Sequence, residues 1–509
     1  MINFSIDETL RSIAKGEILS DSWNRKVFSV DASHYTITPK AIVCPIDEID
    51  VSELCIFASK KNISLTPRGA GTGLLGQSLT NNISIDFTKH MNKILEISDD
   101  YVVVQPGISK GLVDKELSKR NKFLPPDPAS SQYCTIGGMI ANNSSGIHTL
   151  GYGSTIDFLE MIEVVYSNGK IDTISGYKNK HERINLPYSC LNTKIQRLLD
   201  HITNASSRKI IINKYPKVSK NSCGYRLDKI IENDNFYPQK IFAASEGTLG
   251  LVTKIKLRIL DIPNYKSTIV VGFKDILHAT STISKINKFK PIAMELLDGK
   301  TILKNNKDFR NSNNKNFGSL LFIEFADYNL SNIETTVRSC CDTLSLMSEI
   351  IEVAYDKNSS AKIWQSRRNV LNNVMKLTVG SRKPIGLFED TVVPVTRLSN
   401  LVEFILKEYD FHNLDYAIYG HAGNGNLHTR PMINIDSKNE LELITNIAEK
   451  IFHKVVNLGG SISGEHSDGI GRLRYIEYVY GKDMLNIFKN IKNIFDPHNI
   501  LNPGKKILP

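Results

Sequence analysis

"TPRGAGTGLLGQS", residues 66–78, carries G-x-G-x-x-G at Gly71, Gly73 and Gly76. The dinucleotide-binding form of that pattern needs a helix straight after it and an acidic residue about 20 positions on. This loop runs instead into "QSLTNNISIDF", in which Asn81-Asn82 breaks the chain and a strand begins at once. No helix fits, so the loop is not the first turn of a Rossmann unit. Glycine still lets main chain approach an anion without a Cβ, and successive N–H groups can wrap it. Two readings therefore stand: a pyrophosphate cradle, or an elaborate tight turn.

Two further segments bear on the choice. "PPDPASSQYCTIGGMIANNSSGIHTLGYGSTIDFL", 125–159, gathers Ser130, Ser131, Gly137, Gly138, Asn142, Asn143, Ser144 and Gly146 within a short span. "FAASEGTLGLVTKIKL", 242–257, has Glu246, Gly247 and Gly250 leading into a strand. Three loops of small, hydrogen-bonding residues suit one elongated polar ligand held mainly by main chain.

The 509 residues are enough for two or three domains. A hydrophobic share of 41% and a charged share of 23% fit an ordinary globular chain. No apolar run approaches the ~18–20 residues of a membrane span. The start, "MINFSIDETLRSIAKGEILSDSW", lacks the basic-then-apolar layout of a signal peptide. The expected location is cytoplasmic. The net charge of +10 is spread without basic runs, which speaks against a nucleic-acid partner. It reads as a solvated lysine-rich surface, with peripheral contact to the inner face of an anionic membrane left open. Seven cysteines without a CxxC pair argue against a disulfide framework and against an iron–sulfur cluster in this chain.

Period-two alternation predicts strands at "ISLTPR", "ISIDF", "YVVVQPG", "MIEVVYSNGKIDTI" and "LVTKIKLRIL". Helices are predicted at "DVSELCIFASKKN" and "SKGLVDKELSKRN", the second stopped by "KFLPPDP". Past a boundary at Asp261-Ile262-Pro263, strands "KSTIVVGF", "PIAMELLD" and "SLLFIEF" interleave with helices at 274–288 and 332–348. That is an α+β layer with a largely antiparallel sheet. Residues 304–317 read as a polar surface loop, and 484–497 as a final helix.

"YGHAGNGNLHTRP", 419–431, sets two histidines around Asn424-Gly425. Asn-Gly is the strongest short signal for a two-residue hairpin. That register would oppose His421 to His428, with Cβ atoms roughly 4.5–5.5 Å apart, close enough to share a cation or simply to stack. Downstream, "GGSISGEHSDGIGR", 459–472, offers Glu465 and His466 in a glycine-rich bend. His421, His428 and Glu465 make a two-nitrogen, one-oxygen set suited to a divalent metal, zinc first, with Mn²⁺ or Fe²⁺ as alternatives. His466 is then left as a base.

"PRGAGTG", "SEGTLG", "GHAGNGNLH", "GEHSDGIGR" and "NPGKK" occur in an order that resembles the FAD-linked D-2-hydroxyacid dehydrogenases, within the vanillyl-alcohol oxidase/p-cresol methylhydroxylase superfamily. The resemblance covers nearly the whole chain. It implies an α+β fold: a two-part FAD-binding domain over 1–262 (subdomains about 1–105 and 106–262), a substrate or cap domain over 263–458, and a C-terminal helical segment, 459–509, completing the site. It places Pro67, Arg68, Gly69, Ala70, Gly71, Thr72, Gly73, Gly76 and Gln77 on the FAD pyrophosphate. Pro126, Asp127, Ser130, Gly137, Gly138, Asn142, Asn143, Ser144 and Gly146 line more of the cofactor, Glu246, Gly247, Gly250 and Ile255 the adenine and ribose end, and Asn502 the flavin ring. Thr72 stands where some superfamily members attach FAD through a histidine, which implies non-covalent FAD. The resemblance gives the same metal-ligand and base roles to the two histidines, Glu465 and His466. It makes Arg367, in "IWQSRRNV", the partner of the substrate carboxylate; Arg430 is a second candidate.

The implied reaction oxidises a D-2-hydroxy acid (D-lactate, glycolate or D-2-hydroxyglutarate) to the 2-keto acid, with hydride passing to the flavin. Implied partners are that small acid and an electron acceptor: an iron–sulfur protein, a quinone or a cytochrome. A homodimer is left open. The competing readings are a zinc-dependent hydrolase, which leaves the glycine loops unexplained, and a non-catalytic flavin subunit of a larger redox complex.

Overall fold

The structure, a computed structural model, describes residues 6–177, 192–299, 317–375, 378, 380–386 and 388–508. Of the polar stretch 304–317, only Phe317 falls among them.

The N-terminal half builds two sheets. In the first, Glu17–Leu19, Ala41–Cys44, Ile83–Asp86 and Leu65–Arg68 lie side by side in that order. The last three run parallel, with Pro67 opposite Ile85 and Arg68 opposite Asp86. The connecting helix Glu48–Lys61 starts where Asp47 accepts the Asp50 N–H and stops at Asn62 in the left-handed region. The glycine loop thus leaves the C-terminal end of a short parallel strand and turns into coil, as the missing helix signal requires. Leu65, Ile83 and Ile85 pack with Val51, Leu54 and Phe57 of that helix in a core of their own.

The second sheet is antiparallel: Ile94–Ile97, Tyr101–Val104, Leu251–Arg258, Leu159–Val165 and Ile171–Ser175. Helices Lys110–Ser118 and Ile136–Asn142 lie between its strands in the chain, capped by Ser109 and Thr135. Leu251–Arg258 alternates buried and half-exposed residues, as its sequence period predicts.

The second half is dominated by an antiparallel sheet ordered Glu349–Ala354, Tyr265–Phe273, Ser319–Asp327, Ala293–Asp298, Tyr416–His421, Asn426–Asn434, Arg382–Pro384. Thr391–Val392 pairs with the start of Asn426–Asn434. Its inner strands are buried on both faces: Trp364 and Ile363 pack on one side with Val270, Leu297 and Phe322, while Ile269, Leu296 and Ile323 join the main core. Long apolar runs result from that. The final helical run, Ile476–Phe495, is broken at Gly481 (φ 75°) and returns to the first half. There the chain end zips onto the edge of the first sheet, the Leu65 N–H donating to Ile500 and the Asn502 N–H to the Leu65 carbonyl. Among the described residues no helix is long and apolar enough to cross a membrane.

Candidate active site

A cavity of about 720 Å³ runs along the three glycine-rich segments to the hairpin of the large sheet. Of the residues expected to hold a cofactor, its walls include Pro67, Arg68, Gly69, Ala70, Gly71, Thr72, Gly73, Gln77, Ser130, Gly137, Gly138, Asn142, Ser144, Glu246, Gly247 and Gly250. The walls close tightly on one another. A Cβ at Gly69 would lie 2.2 Å from the Thr135 hydroxyl, and one at Gly247 2.3 Å from the Pro67 ring.

Seven expected contacts lie outside this lining, each with a structural task instead. Ile255 is fully buried in the second sheet, between Val104 and Ile162. Asn502 donates to the carbonyls of Gln77 and Glu246, tying two loops together behind the cavity. Asn143, in the left-handed region, ends a helix and accepts the Ile156 N–H. Asp127 accepts from His148, and Gly146 packs against the Asp127 carbonyl. Gly76 turns the loop at φ 77° beside Tyr35 and Ile470, and Pro126 is buried next to Asp127.

The hairpin brings the histidines together in a different register from the one expected. The loop is four residues, Ala422 to Gly425, closed by Gly425 at φ 70° with its N–H on the Ala422 carbonyl. His421 therefore faces Asn426, and His428 faces Tyr419. Both imidazoles stay on one face, because a two-residue shift preserves strand parity. Their ring centres lie 5.3 Å apart, and His466 stacks on His428 at 5.5 Å.

Glu465 is the hub. Its Oε1 lies 3.3 Å from His421 Nε2 and 3.4 Å from the Nε2 atoms of both His428 and His466. Its Oε2 accepts from Lys220 at 2.9 Å and from the Ser145 hydroxyl at 3.3 Å. Burial alone would raise the Glu465 carboxyl, but Lys220 and His421 hold it well below the ordinary value. Burial lowers His428 and keeps it neutral, as a ligand must be. His421 is the opposite: burial disfavours its charge, yet Glu295 and Glu465 push it up to about 9. Each of these carboxylates also holds a cation, Arg367 on Glu295 and Lys220 on Glu465.

Sequence reasoning missed Glu295 and Lys220. Glu295 Oε1 lies 2.5 Å from His421 Nδ1, and its Oε2 accepts from Arg367 at 2.5 Å. Arg367 thus bonds Glu295 through Nη2 and lies outside the cavity lining. The only available signal was an acid inside an apolar strand, "PIAMELLD", since such a group needs a partner. Asp390 holds the bend in place, accepting N–H groups from Gly464, Glu465 and His466 at 3.0–3.1 Å and the Arg472 guanidinium at 3.1 Å. Arg430 lines the cavity with both its Nε and Nη2 on Glu389, at 2.5 and 2.9 Å.

Residues 39–175 match the FAD binding domain family, and residues 262–506 match FAD linked oxidases, C-terminal domain. The glycolate oxidase subunit GlcD of Bacillus subtilis is 30% identical over 99% of this chain and 97% of its own. The chain belongs to the FAD-linked oxidases. It also matches the D-2-hydroxyglutarate dehydrogenase of Haemophilus influenzae, at 29% identity over 97% of this chain, but spans only 50% of that relative's length. The 4-ethylphenol oxidase of Gulosibacter chungangensis shares the fold, with a TM-score of 0.68 at 12% identity over 99% of this chain and 98% of its own. This FAD-linked oxidase fits its cofactor physically: the cavity is of cofactor size, and glycines of the three loops form part of its wall. The donor set of His421, His428 and Glu465, with ligand atoms within 4.8 Å of one another and Glu295 orienting His421, likewise fits a divalent ion.

Proposed function

We propose that this chain oxidises a D-2-hydroxy acid to the 2-keto acid, using non-covalent FAD and a divalent metal, zinc first, held by His421, His428 and Glu465. One observation carries the reading: Glu465 Oε1 stands within 3.4 Å of three imidazole Nε2 atoms, and Glu465 and His466 both line the cavity formed by the glycine segments. The names of relatives support it, glycolate oxidase subunit and D-2-hydroxyglutarate dehydrogenase among them. When bound, the flavin supplies a hydride acceptor and the ion an acidifying contact for the alcohol oxygen. The chain's own part is to orient the acid and move its hydroxyl proton. His466 Nε2 faces Glu465 and takes that proton, while Nδ1 faces Glu389 and Asp390 at 3.9 Å each. Burial disfavours a charged His466, but Asp390 and Glu465 outweigh it and raise its pKa. Arg430 is the guanidinium at the histidine end that meets the substrate carboxylate.

In the same reading, residues 1–262 hold FAD, 263–458 cover the substrate, and 459–509 complete the site. The electrons leave the reduced flavin to an acceptor. An iron–sulfur partner, a quinone or a cytochrome would serve. The test is anaerobic: the purified yellow protein should bleach with a D-2-hydroxy acid. A flavoprotein that D-lactate, glycolate, D-malate and D-2-hydroxyglutarate all fail to reduce would sink the reading.

A further inference from the structure

We infer that Glu389 restricts this site to 2-hydroxy acids with a single carboxylate and an uncharged side chain. The inference rests on the proposed oxidation of a 2-hydroxy acid and narrows its substrate class. Among the described residues lining the cavity, only Arg68 and Arg430 carry a permanent positive charge. Arg68 sits at the glycine-loop end and donates to the carbonyls of Phe28 and Val30. Among the described residues Arg430 is thus the one permanent cation lining the cavity at the histidine end, and Glu389 already grips it with both oxygens. The pair offers no net positive charge, though its guanidinium still marks where one carboxylate can dock.

Glu389 cannot swing away to make room. It is 3% exposed, and its carboxyl packs so closely on Gly386 that a Cβ there would lie 2.6 Å from its Cδ. A second carboxylate on the substrate's far end would face the oxygens of Glu389, and among the described lining residues no further permanent cation stands beside it. Like charges brought together out of water reject a ligand by several powers of ten in favourable cases. The adjacent wall, Pro384 and Ile385, is apolar and accepts an alkyl group.

The decisive comparison uses two acids of one shape, D-2-hydroxyglutarate and its 5-amide, with the FAD- and metal-loaded protein. The amide should show a kcat/KM at least about 100-fold higher. Kd values for 2-oxoglutarate and its 5-amide, read from the difference spectrum of the oxidised flavin, should differ in the same sense. In Glu389→Gln that retains FAD, both ratios should narrow at least about tenfold. A dicarboxylate that reduces and binds as well as its amide overturns the inference without any variant, and so does a Gln variant with unchanged ratios. If neither acid reduces the flavin, D-lactate and glycolate decide the proposed reaction, while the two Kd values still decide for or against Glu389.

Discussion

Glu465 divides its oxygens between two neighbourhoods, and the division gives the site its shape. Lys220 and Ser145 fix Oε2, which leaves Oε1 to face the histidines as a single donor. Lys220 is fully buried, so nothing from solvent replaces it when it is removed. Lys220→Met should therefore let Glu465 rotate and weaken metal binding by about 10- to 100-fold, the usual effect of losing an orienting partner. Titration of apoprotein with Zn²⁺ measures this directly; unchanged affinity would detach Lys220 from the site. His466 differs in kind: it stacks on His428 and faces Glu465, and its proposed part is to take the proton. His466→Ala should keep full FAD and metal content yet slow anaerobic flavin reduction by about 10²- to 10⁴-fold. Near-normal reduction would remove it from proton transfer. The histidines and Glu465 were legible because metal-ligating residues between glycines are rare in core-forming segments. Lys220 and Glu295 were not, because a buried charge is recognised by its partner, and each partner lies far away in sequence.

At the level of elements, the hairpin shows what a local rule gets right. Asn-Gly named the turn and the strand pairing, but the loop took four residues, and the register moved by two. The site survived because parity, not register, decides which face a side chain occupies. The glycine loops allow a sharper test. Gly247 has φ 71°, and a Cβ there would strike Pro67 at 2.3 Å; Gly504 has φ 74° with nothing within 4 Å. Both Ala variants carry the backbone strain of a left-handed residue, about 1–2 kcal/mol. Only Gly247→Ala also displaces the strand end from which the first glycine loop departs. It should lose FAD on gel filtration, while Gly504→Ala keeps it at a slightly lower Tm. Equal FAD retention in the two would mean that close loop packing is not what shapes the cradle.

Over the whole molecule, the alternation of strands was readable, since it depends on periodicity alone. How the halves meet was not, because polar links of long sequence separation make the junction. Lys506 bonds Asp468, and Glu246 accepts the Asp468 and Gly469 N–H groups. Another link is His148, whose Nδ1 lies 2.6 Å from Asp127 and whose Nε2 lies 3.1 Å from Glu324 on the large sheet. Burial opposes its charge, but the two carboxylates overcome this and raise it from an ordinary 6.5 to about 10. Glu324 is held down at about 2, against its own burial, by His148 and Lys266. The His148 contribution, with its folded pKa raised, is therefore complete below pH 6.5 and fades as the pH climbs through 10. The Glu324 contribution, with its folded pKa depressed, is complete above pH 4.5 and fades as the pH falls towards 2. His148→Ala should cost about 1–3 kcal/mol at pH 6, since it removes the charged partner of Asp127 and one of the two that hold Glu324. The Tm difference between wild type and variant should then shrink steadily from pH 6.5 to 10. A difference that stays constant across that range would mean the ring contributes packing alone, and that its charge does not join the two halves.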